Sequence, residues 1–99
     1  MIHEIAEIHI TEGKEADFEA AVETASKYFK AAEGYVSLSL TRSIEQPSKY
    51  RLVVGWETLE DHTVTFRESQ GFQEWRKLAG PFFNSPPQVE HVATVFTAS

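Results

Sequence analysis

Residues 2–10 alternate along an apolar, β-branched run. Ile2, Glu4, Ala6, Ile8 and Ile10 fall on one face, and His3, Ile5, Glu7 and His9 on the other. Both faces are mixed, which suits a strand in a sheet covered on both sides, by helices and by a second subunit. Over 14–33 the period changes to three and four. Phe18, Ala21, Val22, Ala25, Tyr28, Phe29 and Ala32 form one apolar stripe, with Glu15, Asp17 and Glu19 at the start and Lys27 and Lys30 near the end. That pattern predicts a helix whose charges match its dipole, with Gly34 as the residue that ends it.

Alternation returns over 35–43. Val36, Leu38 and Leu40 face one way, and Ser37, Ser39 and Thr41 the other, a strand with one buried face. Glu45, Gln46, Pro47 and Ser48 make a turn. Residues 50–57 follow as a third strand, with Tyr50, Leu52, Val54 and Trp56 on one face. Thr58 with Asp61 three positions on is a capping-box variant that starts a short helix over 59 to about 68. Ser69 caps a further helix with Phe72, Trp75 and Ala79 inward, and Pro81 ends it. Residues 81–87 are a turn-rich loop. Residues 88–97 are the last strand, with Val89, His91, Ala93 and Val95 on one face.

The order β-α-β-β-α(α)-β is that of an α+β, ferredoxin-like split βαβ: an antiparallel four-stranded sheet with helices on one face. The other face is then free. Val, Leu and Ile on several strands make it too apolar to stay wet, so a homodimer in which two sheets meet is expected.

Length and charge narrow the possibilities. Ninety-nine residues make a single domain, 1–99, burying roughly 60–65% of the surface the unfolded chain exposes. That supports one modest core, not a deep private cavity for a large cofactor. An enzyme of this size takes a small substrate, shares its pocket with a partner subunit, or both. Nine Lys and Arg against fifteen Asp and Glu give a net charge of −6, which argues against nucleic acid and anionic membrane as partners. The absence of cysteine removes disulfides, thiolate nucleophiles and thiolate metal sites, and fits a cytoplasmic protein. The acidic N-terminal stretch has no basic segment of a signal peptide, and no apolar run approaches the length of a membrane span.

Candidate chemistry gathers in the second half. Phe66, Phe72, Trp75, Phe82 and Phe83 are close in sequence, with Tyr50 and Trp56 just before them. These aromatics read either as core or as the wall of a flat apolar pocket for an aromatic ligand, and one side chain can be both. His62 follows Leu59 by three residues and precedes Phe66 by four, which places all three on one inward face. An inward His among aromatics is a candidate general base or hydrogen-bond donor, against the plainer reading of a structural His bonded to Thr58 or backbone. His91 lies on the otherwise apolar face of Val89, Ala93 and Val95, as a core, interface or pocket residue. His3 and His9, roughly 20 Å apart along a strand, do not share a metal, and no metal-ligand spacing is present. Arg42 is placed to meet a buried partner or close a pocket mouth, and Arg51 to lie at a surface or interface. The carboxylates Glu60 and Asp61, and Glu4 and Glu7, read as capping or surface charge. No nucleophile elbow or phosphate-binding glycine loop occurs.

The stretch Gly55-Trp56-Glu57-Thr58-Leu59-Glu60-Asp61-His62, then Phe66-Arg67-Glu68-Ser69, Phe72, Trp75 and Pro86-Pro87-Gln88-Val89-Glu90-His91, resembles the antibiotic biosynthesis monooxygenase (ABM) family. So does the opening strand followed by Glu12-Gly13-Lys14-Glu15 and the Phe18 helix. The resemblance implies a dimeric α/β barrel, two ferredoxin-like subunits with helices outside. It implies a cofactor-independent monooxygenase that oxidises a small quinol or hydroxylated aromatic with O₂, without metal. On that reading His62 is the catalytic base or anion donor. Tyr50, Trp56, Phe66, Phe72, Trp75, Phe82 and His91 hold the substrate. The rival is a non-catalytic dimeric domain that binds a small apolar ligand. Heme degradation ranks third. That branch looks for an Asn, a Trp and a His where this chain has Ala6 or Glu7, Thr65 or Phe66, and Trp75.

Overall fold

A computed structural model describes residues 1–99. The sheet is built from β1 (Ile2–His9), β2 (Tyr35–Arg42), β3 (Lys49–Trp56) and β4 (Gln88–Val92). Its order is β2-β3-β1-β4, and every neighbouring pair is antiparallel. Helices α1 (Glu15–Lys30) and α2 (Gln70–Ala79) complete the ferredoxin-like α+β fold. No helix is long and apolar enough to cross a membrane.

Helix α1 forms as its stripe requires. Phe18, Val22, Ala25 and Phe29 are buried, with acids in the first turn and lysines in the last. It ends at Lys30, before the expected 33, and the chain turns into β2 through Gly34 at φ +80°. A side chain there would be strained, and its Cβ would also collide with the Asp61 carboxylate. That carboxylate accepts from the Thr58 backbone N–H at 3.1 Å, and the Asp61 N–H donates to Thr58 Oγ1 at 3.2 Å. The expected capping box is thus reciprocal, and it is packed against a glycine.

The helical turn that follows departs from expectation. Residues Asp61–Phe66 are wound as a π-helix, with the Arg67 N–H bonded to the His62 carbonyl, five residues back. The wider turn keeps His62 and Phe66 inward, at 3% and 2% exposure, but swings Leu59 out to 42%. The three-residue step from Leu59 assumed ordinary α winding. Ser69 caps α2 as expected, its Oγ accepting from the Phe72 N–H at 3.2 Å. Pro81 follows in a 3₁₀ turn.

Two strand expectations are corrected. The last strand stops at Val92, not 97, and Val95 and Phe96 are exposed. The reason is its partner: β4 pairs from Glu7↔Gln88 to His3↔Val92, where β1 itself is about to end. Ala93 and Val95 therefore continue no sheet face. The uncovered sheet face is also less apolar than expected. Register sets Ile2, Glu4, Ala6 and Ile8 beside Trp56, Val54, Leu52 and Tyr50, with Leu38 and Leu40 alongside on the helix side. What remains outside includes Ile5 and Val53, but also His3, Glu7, His9, Arg51, Ser39 and Thr41. A bulge between Tyr35 and Ser37 leaves Val36 exposed.

Candidate functional site

The residue that organises the site is Glu4. It belongs to the inward face of β1, between Ile2 and Ala6, and is only 5% exposed. Its cross-strand partner on β4 is His91, and Trp56 lies diagonally across from it on β3. Trp56 Nε1–H donates to Glu4 Oε1 at 3.1 Å. The π-helical turn lowers His62 onto the same spot. His62 stacks on the Trp56 ring, with centroids 5.6 Å apart and planes 20° apart. Its Nε2 lies 3.2 Å from Glu4 Oε1, and its Nδ1 hydrogen-bonds His91 Nε2 at 2.8 Å. Four elements thus converge on one polar cluster inside an apolar layer.

Burial drives the two central groups toward neutrality. It pushes the Glu4 carboxyl up to about 7, against the Trp56 hydrogen bond and the Arg67 charge, which both pull it down. It pushes His62 down to about 4, helped by the positive charges of His91 and Arg67. The tautomers are coupled. With Glu4 ionised, His62 carries its proton on Nε2, toward the carboxylate, and Nδ1 accepts from His91. A neutral Glu4 carries its proton on Oε2, since Oε1 already accepts from Trp56, so the His62 Nε2–H stays toward Oε1 in either state.

Glu4 and His62 open on a cleft of about 670 Å³ between sheet and helices. Its apolar wall includes Ile8, Leu52, Phe72, Trp75 and Phe83, and its polar rim includes Arg67, Arg76 and Asn84. The rim loop is tied down: Thr11 N–H donates to the Phe82 carbonyl at 2.9 Å and Asn84 N–H to the His9 carbonyl at 2.7 Å. Glu4 Oε2 takes no protein hydrogen bond, and no buried side-chain oxygen lacks a partner. This oxygen is therefore free to accept a further hydrogen bond.

Of the residues singled out in the sequence, His62, Phe72 and Trp75 line this cleft. Trp56 and Phe66 stand behind it as core, 0% and 2% exposed, packed against each other. His91 reaches it only through His62. Phe83 takes the lining position and Phe82 does not. Tyr50 lies elsewhere in the core, its hydroxyl donating to Glu19, a bond that with burial raises its pKa. Arg42 meets Glu19 at 3.5 Å, about half exposed, rather than a buried acid. Glu4, read as surface charge from the sequence, is the principal correction. Its signal was present, an acid on the apolar side of an alternating strand. Arg67 and Arg76 carried no such signal.

Residues 1–78 match the sequence profile of the family described as antibiotic biosynthesis monooxygenase. The uncharacterized protein YczJ of Bacillus subtilis (strain 168) is 44% identical over 95 residues, 96% of this chain and 100% of YczJ. A Bordetella bronchiseptica protein of the same family name has a crystal structure that superposes with a TM-score of 0.94 at 53% identity, over 96% of this chain and 97% of that one. SnoaB, a cofactor-independent oxygenase from Streptomyces nogalater, shares the fold at TM-score 0.84 and 14% identity, over 97% and 94% of the two chains. With its profile match, its close relatives and its fold in agreement, this chain belongs to the antibiotic biosynthesis monooxygenase family.

Proposed function

We propose that the protein is a cofactor-independent monooxygenase of a small hydroxylated aromatic, acting as a homodimer. The observation that carries this reading is the buried Glu4 carboxyl, poised near neutrality by burial, on the wall of an aromatic-lined cleft beside His62. A base with a pKa near the operating pH is best matched to take a phenol proton. Glu4 therefore replaces His62 as the proton acceptor, with the His62 Nε2–H and the Trp56 Nε1–H held against its other oxygen. His62, neutral at pH 7, is the weaker base.

The chemistry needs no outside reductant. Glu4 Oε2 takes the phenol proton. The phenolate gives one electron to O₂, and superoxide and the ring radical combine to form a C–O bond. Glu4 returns its proton to the distal oxygen. The resulting hydroperoxide loses water as its O–O bond breaks and the carbon gives up its hydrogen to become C=O. For a quinol the sum is quinol plus O₂ to hydroxyquinone plus water, with all four electrons from the substrate. A dry apolar slot favours this route, because water would quench the radical pair and stabilise the phenolate elsewhere.

The homodimer is supported by apolar side chains left uncovered at Val36, Val92, Val95 and Phe96. Sedimentation should give twice the 11.2 kDa chain mass, and a monomer at micromolar concentration would refute it. The activity is tested by O₂ uptake with hydroquinones and naphthols, free of metal and flavin. Turnover that drops in Glu4→Gln supports the reading. No rate above background for any substrate overturns it, and binding without turnover would point to the ligand-binding rival.

A further inference from the structure

The chain holds four arginines, and they divide cleanly. Arg42 pairs with Glu19 at 3.5 Å and Arg51 with Glu7 at 3.7 Å. Arg67 and Arg76 meet no carboxylate, although the chain carries fifteen acids. Both unpaired guanidiniums line the same cleft. Arg67 follows the π-helical turn that carries His62, and its charge acts on both Glu4 and His62. Arg76 lies over the Phe72 ring at 5.9 Å, held against the apolar wall. In a protein of net charge −6, two free guanidiniums at one apolar cleft make a local positive field where the surroundings are negative.

We propose that the cleft selects a hydroxylated aromatic that also bears an anionic oxyacid group, a carboxylate or phosphate, held by Arg67 and Arg76. This deepens the reading of the cleft as a ligand site and rests on it. A guanidinium presents a planar fork that matches two oxyacid oxygens, and the ring between them and Glu4 meets Phe72 and Trp75. Anchoring the anion at the rim points the phenol inward, toward Glu4. Glu4 does not repel such a ligand strongly, because burial holds it near half-protonation at neutral pH.

The test is calorimetric binding under argon, so that it reads no turnover. The probes are 1-naphthol, 5-hydroxy-1-naphthoate and 5-hydroxy-1-naphthyl phosphate, which carry the hydroxyl and the anion at opposite ends of the ring. At least one anionic probe should bind wild type about tenfold tighter than 1-naphthol, as one good charge-assisted contact supplies. The better of the two identifies the anion. Its advantage over 1-naphthol, measured as the ratio of the two affinities in the same protein, should shrink with added salt and vanish in the Arg67→Gln, Arg76→Gln double variant. Both side chains are exposed, and an unaltered melting temperature confirms that the variant folds. The proposal is overturned if neither anion is preferred, or if the preference survives in the double variant. The outcomes separate it from the oxygenase reading: anion preference without O₂ uptake refutes the oxygenase alone, and oxidation of neutral quinols without anion preference refutes the anion site alone.

Discussion

His62 Nδ1 and His91 Nε2 stand 2.8 Å apart, so one imidazole donates and the other accepts. His91 is half-buried on β4, and His62 is buried against the Trp56 ring at the wall of the cleft. The pair links the interior carboxyl of Glu4 to the sheet edge, through the 3.2 Å contact of His62 Nε2 with Glu4 Oε1.

Removing His91 should be visible on its neighbour. In His91→Ala the His62 pKa should rise from about 4, because one of the positive charges that depresses it is gone. Burial keeps it below the ordinary histidine value. Imidazole NMR titration reads the change directly, and an unmoved His62 would show that the two rings do not communicate.

The Trp56 hydrogen bond stabilises the ionised form of Glu4. In Trp56→Phe the Glu4 pKa should climb above about 7, as a carboxylate loses its indole donor. The protonated carboxyl stretch in the infrared, followed against pH, measures the midpoint. A midpoint at or below the wild-type value would contradict this assignment.

Glu4 and His62 oppose one another in the pH dependence of stability. Glu4 binds its proton more tightly folded than unfolded, so its share of stability falls as pH rises from about 4.5 to about 7. His62 binds its proton less tightly folded, so its share rises with pH between about 4 and 6.5. Wild type should be nearly flat across this window. Glu4→Gln should gain melting temperature as pH rises from 4 to 6.5, and His62→Gln should lose it from 4.5 to 7. Parallel curves for all three proteins would sink the idea.

Catalysis should follow the ionised fraction of Glu4. On a substrate oxidised by wild type, kcat/KM should rise with pH through a midpoint near 7. Glu4→Gln should cost about 10²- to 10⁴-fold, the range of a general base. A pH-independent rate, or full activity in Glu4→Gln, would remove Glu4 from the reaction.

Gly34 bears on the site from a distance. Gly34→Ala puts a methyl at φ +80° and into the Asp61 carboxylate. The strain should cost about 1–3 kcal/mol. Because Asp61 caps the turn that presents His62, the variant should also disturb the His62–His91 bond. By contrast Ile44→Ala, at 89% exposure, should stay within about 0.5 kcal/mol of wild type. Thermal denaturation and His62 NMR shifts check both.

Much of the fold is legible in the chain because it rests on local periodicity. The Phe18–Phe29 stripe, the Thr58 and Ser69 caps and the Tyr50–Trp56 alternation each depend on neighbours a few residues away. The misread parts depend on distant partners. The strand expected to run to 97 stops at Val92 because β1 ends, and Leu59 turns outward because the π winding admits an extra residue. Phe82 and Phe83 are equivalent in sequence, and only the bridge from Ile10 to Phe83 decides which one faces the cleft.

The sequence by itself determined the order of elements, the inward stripe of α1 and face of β3, and an inward histidine among aromatics, because side-chain spacing sets these directly. Tertiary structure alone decided the environment of Glu4. Its surroundings come from Trp56, His62 and His91, 52, 58 and 87 residues further along the chain, and only strand register and the π-helical turn bring them within hydrogen-bonding range. The same acid on a solvent-facing strand would titrate as an ordinary glutamate. Here burial beside those partners gives it a pKa suited to moving a proton at neutral pH.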